Sequence, residues 1–356
     1  MRIVFRVDAD HKIGMGHLVR CLALAAQLKQ KIGAEITFVT STEREVRHKV
    51  EQAGYGLAVV SSKFDLPSDL KGDIILTEIR DTELPYMQEL RTRGQVLVTF
   101  DDLGQGRYAA DLVVDANLDP EEDQDRLQMA HLLRGYPGWR NGTKLPRYLL
   151  GPDYIILRED FTRLADQPRK INPAVKKILV SMGGSDPNNL TAKVLQALSN
   201  CNSQSAIQNP PLEVDVVIGP AFESEKDFRD YLGQTRNLDF RFRRGVTAIH
   251  NLMWEADLAI ASAGVTMYEL ACCGTPAVIL AQDSVQVKNT RPFSKAGAIV
   301  NLGVGTQVKE AELARVIMDL ISDESTRWRM SKAGRCLVDG RGLSRVIKEI
   351  ERRRGE

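Results

Sequence analysis

The run Ile3-Val4-Phe5-Arg6-Val7-Asp8, the loop Ala9-Asp10-His11-Lys12-Ile13-Gly14-Met15-Gly16-His17 and the run Leu18-Val19-Arg20-Cys21-Leu22-Ala23-Leu24-Ala25 read as strand, glycine-paired loop and helix. The alternation recurs. Strands are expected over 2–7, 35–40, 57–60, 74–77, 96–100 and 112–114, with helices such as 20–31 and 43–53 between them. Strands separated by helices pair in parallel, and such sheets bind ligands outside the carboxyl ends of their strands. His17 stands at that edge, and histidine is the side chain whose ordinary charge change falls near neutrality.

A second series starts at 177–181 and continues with strands expected over 214–218, 238–242, 258–261, 277–280 and 298–300. Two doubly wound halves predict an α/β chain of two Rossmann-like domains with parallel sheets facing across a cleft. The expected divisions are 1–165, 174–345 and a basic tail over 346–356, with the boundary near Asn172-Pro173. The segment 119–147, rich in charge, proline and glycine, reads as an inserted helix with irregular loops. The Arg352-Arg353-Arg354 run reads as a solvated helix end.

At 356 residues the chain exceeds one ordinary core, in keeping with two domains. A net charge of +1 gives no footprint for nucleic acid, so small ligands are the expected partners. Five cysteines without a C-x-x-C spacing indicate neither a disulfide framework nor a zinc site. Charges at Arg2, Arg6, Asp8 and Asp10 are unlike the apolar core of a signal peptide, and a cytoplasmic location is expected. The most apolar stretch, 258–281, is broken by Gly264, Glu269, Gly274 and Pro276, so no membrane insertion is expected.

The pair Gly14-x-Gly16 does not complete a dinucleotide fingerprint, because Val19 stands where the third glycine would pack. His17 is then either a local packing residue or a general base beside a loop that approaches a ligand closely. Asp8-Ala9-Asp10 resembles a metal-binding D-x-D only superficially. One of these carboxylates is better suited to holding His17 in the right tautomer, and no metal is expected.

In the second half, Ser181-Met182-Gly183-Gly184-Ser185-Asp186-Pro187-Asn188 predicts a phosphate cradle of exposed backbone N–H groups. Asp186 would cap a helix with Pro187 in its first turn, continuing over 191–198. Ala261-Ser262-Ala263-Gly264-Val265-Thr266-Met267-Tyr268-Glu269 repeats the strand-to-helix turn, and two such turns suit a diphosphate. Glu269, placed in the first turn of that helix, would either complement the helix dipole or accept two ribose hydroxyls. Residues 246–253, including Ile249, would offer backbone groups to a base, with His250 a helix-surface residue.

Ser-x-Gly-Gly-Ser-Asp-Pro at 181–187, Ala-Gly-x-Thr-x-Tyr-Glu at 263–269 with Gly274-x-Pro276, and Arg6-x-Asp8 with Ile13-Gly14-x-Gly16-His17-x-x-Arg20-Cys21-Leu22 resemble the UDP-sugar hydrolases of pseudaminic acid biosynthesis. Asp101-Asp102-Leu103 and Leu150-Gly151-Pro152-x-Tyr154-x-x-Leu157-Arg158-x-x-Phe161 extend the likeness over most of the chain. The resemblance implies a GT-B fold and hydrolysis of a UDP-linked 2,4-diacetamido-2,4,6-trideoxy sugar, without cofactor or metal. It implies His17 as the base that activates water, with inversion at the anomeric carbon. Asp8, Gly14, Gly16, Arg20 and Gln286 would contact the sugar; Gly183, Gly184, Ser185, Ile249, Ser262, Ala263, Gly264, Thr266 and Glu269 would hold the nucleotide.

Two departures from the family pattern fall where a sugar would be read. In Leu280-Ala281-Gln282-Asp283-Ser284-Val285-Gln286 only Gln286 fits the usual Asn-Gln pair, and Thr77-Glu78-Ile79-Arg80 replaces an Asp-x-Tyr. Lipid-II-forming N-acetylglucosaminyltransferases share only the C-terminal elements, so a transferase or a UDP-sugar binding protein is the alternative.

Overall fold

Along β1 (Arg2–Val7), Ile3, Phe5 and Val7 enter one apolar core while Val4 enters another, the period-two alternation of a strand covered on both faces. The same split places Ile74, Leu76, Val96 and Val98 on one side and Ile75 and Leu97 on the other. The structure, a computed structural model, describes residues 1–8, 16–41, 44–117, 146–202, 211–219, 222 and 238–355. Asp10, Gly14 and nearly all of the 119–147 segment lie outside the described residues.

Contacts divide the chain into Met1–Arg158 with Arg341–Glu356, and Glu159–Gly340. The first unit holds β1, β2 (Glu35–Thr40), β3 (Gly56–Val59), β4 (Gly72–Glu78), β5 (Gly94–Phe100), β6 (Leu112–Asp115) and β7 (Arg147–Leu150), with helices α1 (Gly16–Ile32), α2 (Arg44–Gln52) and α3 (Leu84–Thr92). Its strands pair in parallel in the order β3-β2-β1-β4-β5-β6-β7. The order reverses between β1 and β4, the switch point at which open α/β sheets form their ligand crevice.

The second unit carries α4 (Glu159–Ala165), β8 (Lys177–Ser181), α5 (Leu190–Asn202), β9 (Leu212–Ile218), β10 (Leu238–Arg244), α6 (Ile249–Glu255), β11 (Leu258–Ala261), α7 (Val265–Cys273) and β12 (Ala277–Ala281). It continues through α8 (Ser284–Asn289), α9 (Arg291–Lys295), β13 (Ile299–Val304), α10 (Glu310–Ser322) and α11 (Glu324–Leu337). The sheet is parallel in the order β10-β9-β8-β11-β12-β13, and its switch point lies between β8 and β11. The expected strands are present, β1, β2, β8 and β11 with the expected bounds and the rest with ends moved by at most four residues; β7, not expected from the sequence, is a short addition beside β6.

These unit boundaries differ from the divisions at 165, 174 and 345. Residues 159–165 belong to the second unit because Phe161 is fully buried there, its carbonyl accepting from Cys272 Sγ at 3.5 Å, and Thr162 Oγ1 donates to the Gly340 carbonyl at 2.8 Å. Residues from 341 onward return to the first unit as α12 (Gly342–Gly355). Leu343, Val346, Ile347 and Ile350 form a stripe at helical spacing that joins the core beside Leu18, Leu24 and Leu28 of α1. Arg352 and Arg354 remain exposed at its end. Among the described residues, no helix is long and apolar enough to cross a membrane.

Candidate functional site

In the first unit, the chain leaves β1 at Val7, which lies directly opposite Glu78 across the ladder to β4. His17, second residue of α1, is thereby brought to a carboxylate 61 positions away: its Nδ1 lies 2.6 Å from Oε1 of Glu78. The Glu78 side chain is 1% exposed, against 26% for His17. Arg20, one helical turn on, donates from Nε to Oε2 of Glu78 at 3.1 Å, reaches Oε1 through Nη2, and holds Oδ2 of Asp101 at 2.8 Å. Its guanidinium lies 5.7 Å from the Phe100 ring centre. Burial alone would lower the Arg20 pKa, but the charges of Asp101 and Glu78 outweigh it and leave the cation fixed.

A carboxylate so paired only accepts, so the proton between His17 and Glu78 sits on Nδ1, and in the neutral imidazole it is Nε2 that carries the lone pair. That is the tautomer a general base needs, and the carboxylate would stabilise the imidazolium formed when Nε2 takes a proton. Cys21 lies below with Sγ 3.9 Å from Oε2 of Glu78. Burial, then the Glu78 charge, push its thiol well up, which makes it a packing residue and not a nucleophile.

Orientation of His17 was expected from Asp8 or Asp10. Asp8 is instead committed to Arg6, a fully buried guanidinium that grips both carboxylate oxygens at 2.6 and 2.9 Å. It also accepts from the Ser41 N–H at 3.2 Å, so it fixes where the chain leaves β1. Glu78 takes the orienting role because the sheet order sets β4 beside β1. Arg20 points its charge inward to two carboxylates, with only 10% of its side chain exposed. Gly16 stands exposed at the start of α1.

In the second unit, β8 and β11 end side by side at Ser181 and Ala261. Gly183 turns with φ at 89°, a left-handed conformation glycine takes without cost, and a Cβ there would come 3.3 Å from Ser262 Oγ. Ser262 and Ala263 are buried, while Gly264 has open space where its side chain would be. Gly264 precedes α7 with no side chain capping the helix; the Met267 N–H already donates to the Gly264 carbonyl at 3.1 Å, which leaves the N–H groups of Val265 and Thr266 without an intrahelical partner.

The other helix start is different. Asp186, at φ 40°, accepts the Leu190 and Thr191 N–H groups at 2.9 Å each; Asn189 is also left-handed, at φ 50°. These turns delay α5 to Leu190, so Pro187 lies before the helix and Asp186 already occupies the helix N-terminus. What this turn leaves exposed to a ligand is the backbone of Gly183, Gly184 and Ser185.

Glu269 is the fifth residue of α7, half-buried in its second turn and not its first, which weakens the dipole explanation for it. Thr266 is half-buried on the same helix, and Ile249 opens α6. His250 places Nδ1 3.7 Å from Oδ2 of Asp160 and its ring edge-on to Phe161. Gln286 turns back on its own loop, its Oε1 accepting from Gln282 N–H at 3.0 Å.

Besides Glu78, two residues of the second unit escaped the sequence reading. Gln282 donates from Nε2 to Oδ1 of Asp186 at 3.0 Å and to the Met182 carbonyl at 3.3 Å, tying the end of β12 to the glycine turn. Gly219, after β9, packs so closely that a Cβ would lie 2.2 and 2.4 Å from the Gly184 and Gly183 carbonyl oxygens.

No family model matches the chain. It is 30% identical over 294 residues to an uncharacterized protein of Methanocaldococcus jannaschii, covering 80% of this chain and 57% of that protein. It is 28% identical over 368 residues to the spore coat polysaccharide biosynthesis protein SpsG of Bacillus subtilis, covering 99% and 98%. A Helicobacter pylori protein, "pseudaminic acid cytidylyltransferase and UDP-2,4-diacetamido-2,4,6-trideoxy-beta-L-altropyranose hydrolase", is 21% identical over 343 residues, 95% of this chain and 53% of that one. The chain thus spans little more than half of two of these relatives. Among solved structures, MurG of Acinetobacter baumannii superposes with a TM-score of 0.68 at 16% identity, covering 99% of this chain and 100% of that one. The glycotransferase of kitacinnamycin gives 0.61 at 17%, covering 99% and 98%. The fold is of the GT-B type. Its two switch points carry the His17 set in one unit and the Gly183 and Gly264 turns in the other.

Proposed function

We propose that this chain hydrolyses a UDP-linked amino sugar, of the 2,4-diacetamido-2,4,6-trideoxy class, to UDP and free sugar in polysaccharide biosynthesis. The observation that carries this reading is the 2.6 Å contact between His17 Nδ1 and the buried carboxylate of Glu78, which leaves Nε2 as the base. Water gives a proton to Nε2 as its oxygen attacks the anomeric carbon on the face opposite UDP; the C–O bond to the diphosphate breaks and its electron pair leaves with UDP. The backbone of Gly183, Gly184 and Ser185, with Ser262, Ala263, Gly264 and Thr266, holds the diphosphate and offsets the charge it gains. Glu269 accepts the ribose hydroxyls, Ile249 offers backbone to the base, and Gly14, Gly16 and Gln286 shape the sugar site. Arg20 and Asp8 act through Glu78 and Arg6.

The relatives named above support the reading through one name that includes UDP-sugar hydrolysis and another that includes polysaccharide biosynthesis. The test is UDP release from a panel of UDP-amino sugars, followed by NMR with the native chain and His17→Ala. Free sugar should appear first as the anomer inverted from the donor, and the variant should not produce it. Tight UDP binding without release from any donor would overturn hydrolysis in favour of a transferase awaiting its acceptor.

A further inference from the structure

Behind His17, Glu78 and Arg20 lies a carboxyl pair that the proposed chemistry leaves unused. Asp101 follows β5 in a left-handed conformation, φ 47°, pinned by its N–H donating to the Val114 carbonyl at 2.9 Å. Its Oδ2 receives Arg20 at 2.8 Å. Its Oδ1 is buried and faces no donor while the neighbouring carboxylates are ionised. Asp115, the last residue of β6 and 2% exposed, follows Val114, the ladder partner of Phe100, so the two adjacent strand ends set it beside Asp101; its own Oδ1 accepts from the Asn117 N–H at 2.9 Å.

Two carboxylates this close do not both ionise in a buried site. Glu78 and Asp101 supply two negative charges against the one positive charge of Arg20, and a third carboxylate would find no counter-charge. As a neutral acid, Asp115 adds the missing donor and no charge. Burial, then the Asp101 charge, push its carboxyl well above the usual range.

We propose that Asp115 is a positioning residue: it remains a neutral acid, donates its proton to Oδ1 of Asp101, and so holds Asp101 against Arg20, Arg20 against Glu78, and Glu78 against His17. Its consequence for catalysis rests on the reading of His17 as base. The proton itself does not.

The first readout is stability against pH for the native chain and Asp115→Asn, whose amide donates as the acid does. The charged groups that act on Asp115 are Asp101 after β5 and Arg20 on α1; its ladder partner on β7 is Leu150. An acid whose pKa is raised by folding lends stability that is complete below about pH 4, the unfolded value, and lost as pH rises toward the folded one. Asparagine has no such proton to lose. Relative to native, the unfolding constant of Asp115→Asn should therefore fall as pH rises above the unfolded value, by up to about tenfold per pH unit. The same slope should survive in a His17→Gln background, which removes the imidazole titration. A ratio flat with pH in both backgrounds would overturn the proposal.

The second readout is the hydrogen-bonded Nδ1–H resonance of 15N-labelled His17. It should persist in Asp115→Asn and be lost in Asp115→Ala. Loss in both, or persistence in both, would overturn the positioning role. Neither readout needs a turned-over substrate, so failure here is distinct from failure of the hydrolase reading.

Discussion

Replacing Glu78 by glutamine removes one charge with almost no change of shape, and the geometry predicts both the size and the kind of the effect. The amide oxygen can keep the contacts of Oε1 to His17 and Arg20, but its NH2 then faces Arg20 Nε, 3.1 Å away in the native chain. With Nδ1 and Oε1 2.6 Å apart, the charge centres of imidazolium and carboxylate lie about 4 Å apart, an attraction of about 4 kcal/mol at an effective dielectric of 20. A transition state with the proton half transferred feels half of that, about 2 kcal/mol, or roughly 30-fold in kcat. Glu78 is 1% exposed and touches no ligand in the proposed reaction, so KM should move by less than about threefold. Steady-state UDP release from the donor identified in the panel measures both. In a cycle with His17→Ala, the double variant should be no slower than His17→Ala alone, because Glu78 acts through His17. An unchanged kcat, or a defect confined to KM, would refute the orienting role; a double variant much slower than His17→Ala would do so as well.

Gly219→Ala forces a methyl group against two carbonyl oxygens of the glycine turn and should cost about 1–3 kcal/mol together with a clear loss of UDP affinity by calorimetry; native values for both would remove Gly219 from the site's support. Asp186→Ala withdraws two N–H acceptors from the start of α5 and should lower stability by about 1–2 kcal/mol in urea unfolding; no change would mean that solvent serves those groups equally well. Ile350→Ala should cost about 2–5 kcal/mol, with amide protection falling in β1, β4 and β5 and not in β8, β11 and β12; uniform loss across both units would contradict the placement of α12.

The parallel halves were legible because alternating β-branched runs and helical stripes are local signals, and the apolar run Ile178-Leu179-Val180 inside β8 and the wholly apolar β11 could be read from composition alone. Glu78 was not legible as the partner of His17. Proximity along the chain favoured Asp8 and Asp10, and only the crossover that sets β4 beside β1 brings residue 78 opposite residue 7. The late start of α5 was hidden for a different reason: Asp186-Pro187 is a fair cap signal, but the left-handed turns at Asp186 and Asn189 insert three residues before the helix. Gln282 and Gly219 left no local signal, since a strand-end glutamine or glycine has meaning only through what the neighbouring turn brings against it. The stripe at 343, 346, 347 and 350 was present in the sequence and was outweighed by the basic run that follows it.

The hydrogen bond from Thr162 to the Gly340 carbonyl brings together the two places where the chain passes between units, so residues 159–340 form an insertion with adjoining ends. On the ribosome, the four apolar side chains of α12 appear only after the whole inserted unit has been made. The earlier part of the first unit must wait with one wall of its core open, while the unit made later can close first. Such a chain completes its beginning last, and a stall in translation anywhere between residues 158 and 340 leaves the histidine half unfinished while the other half is still being built.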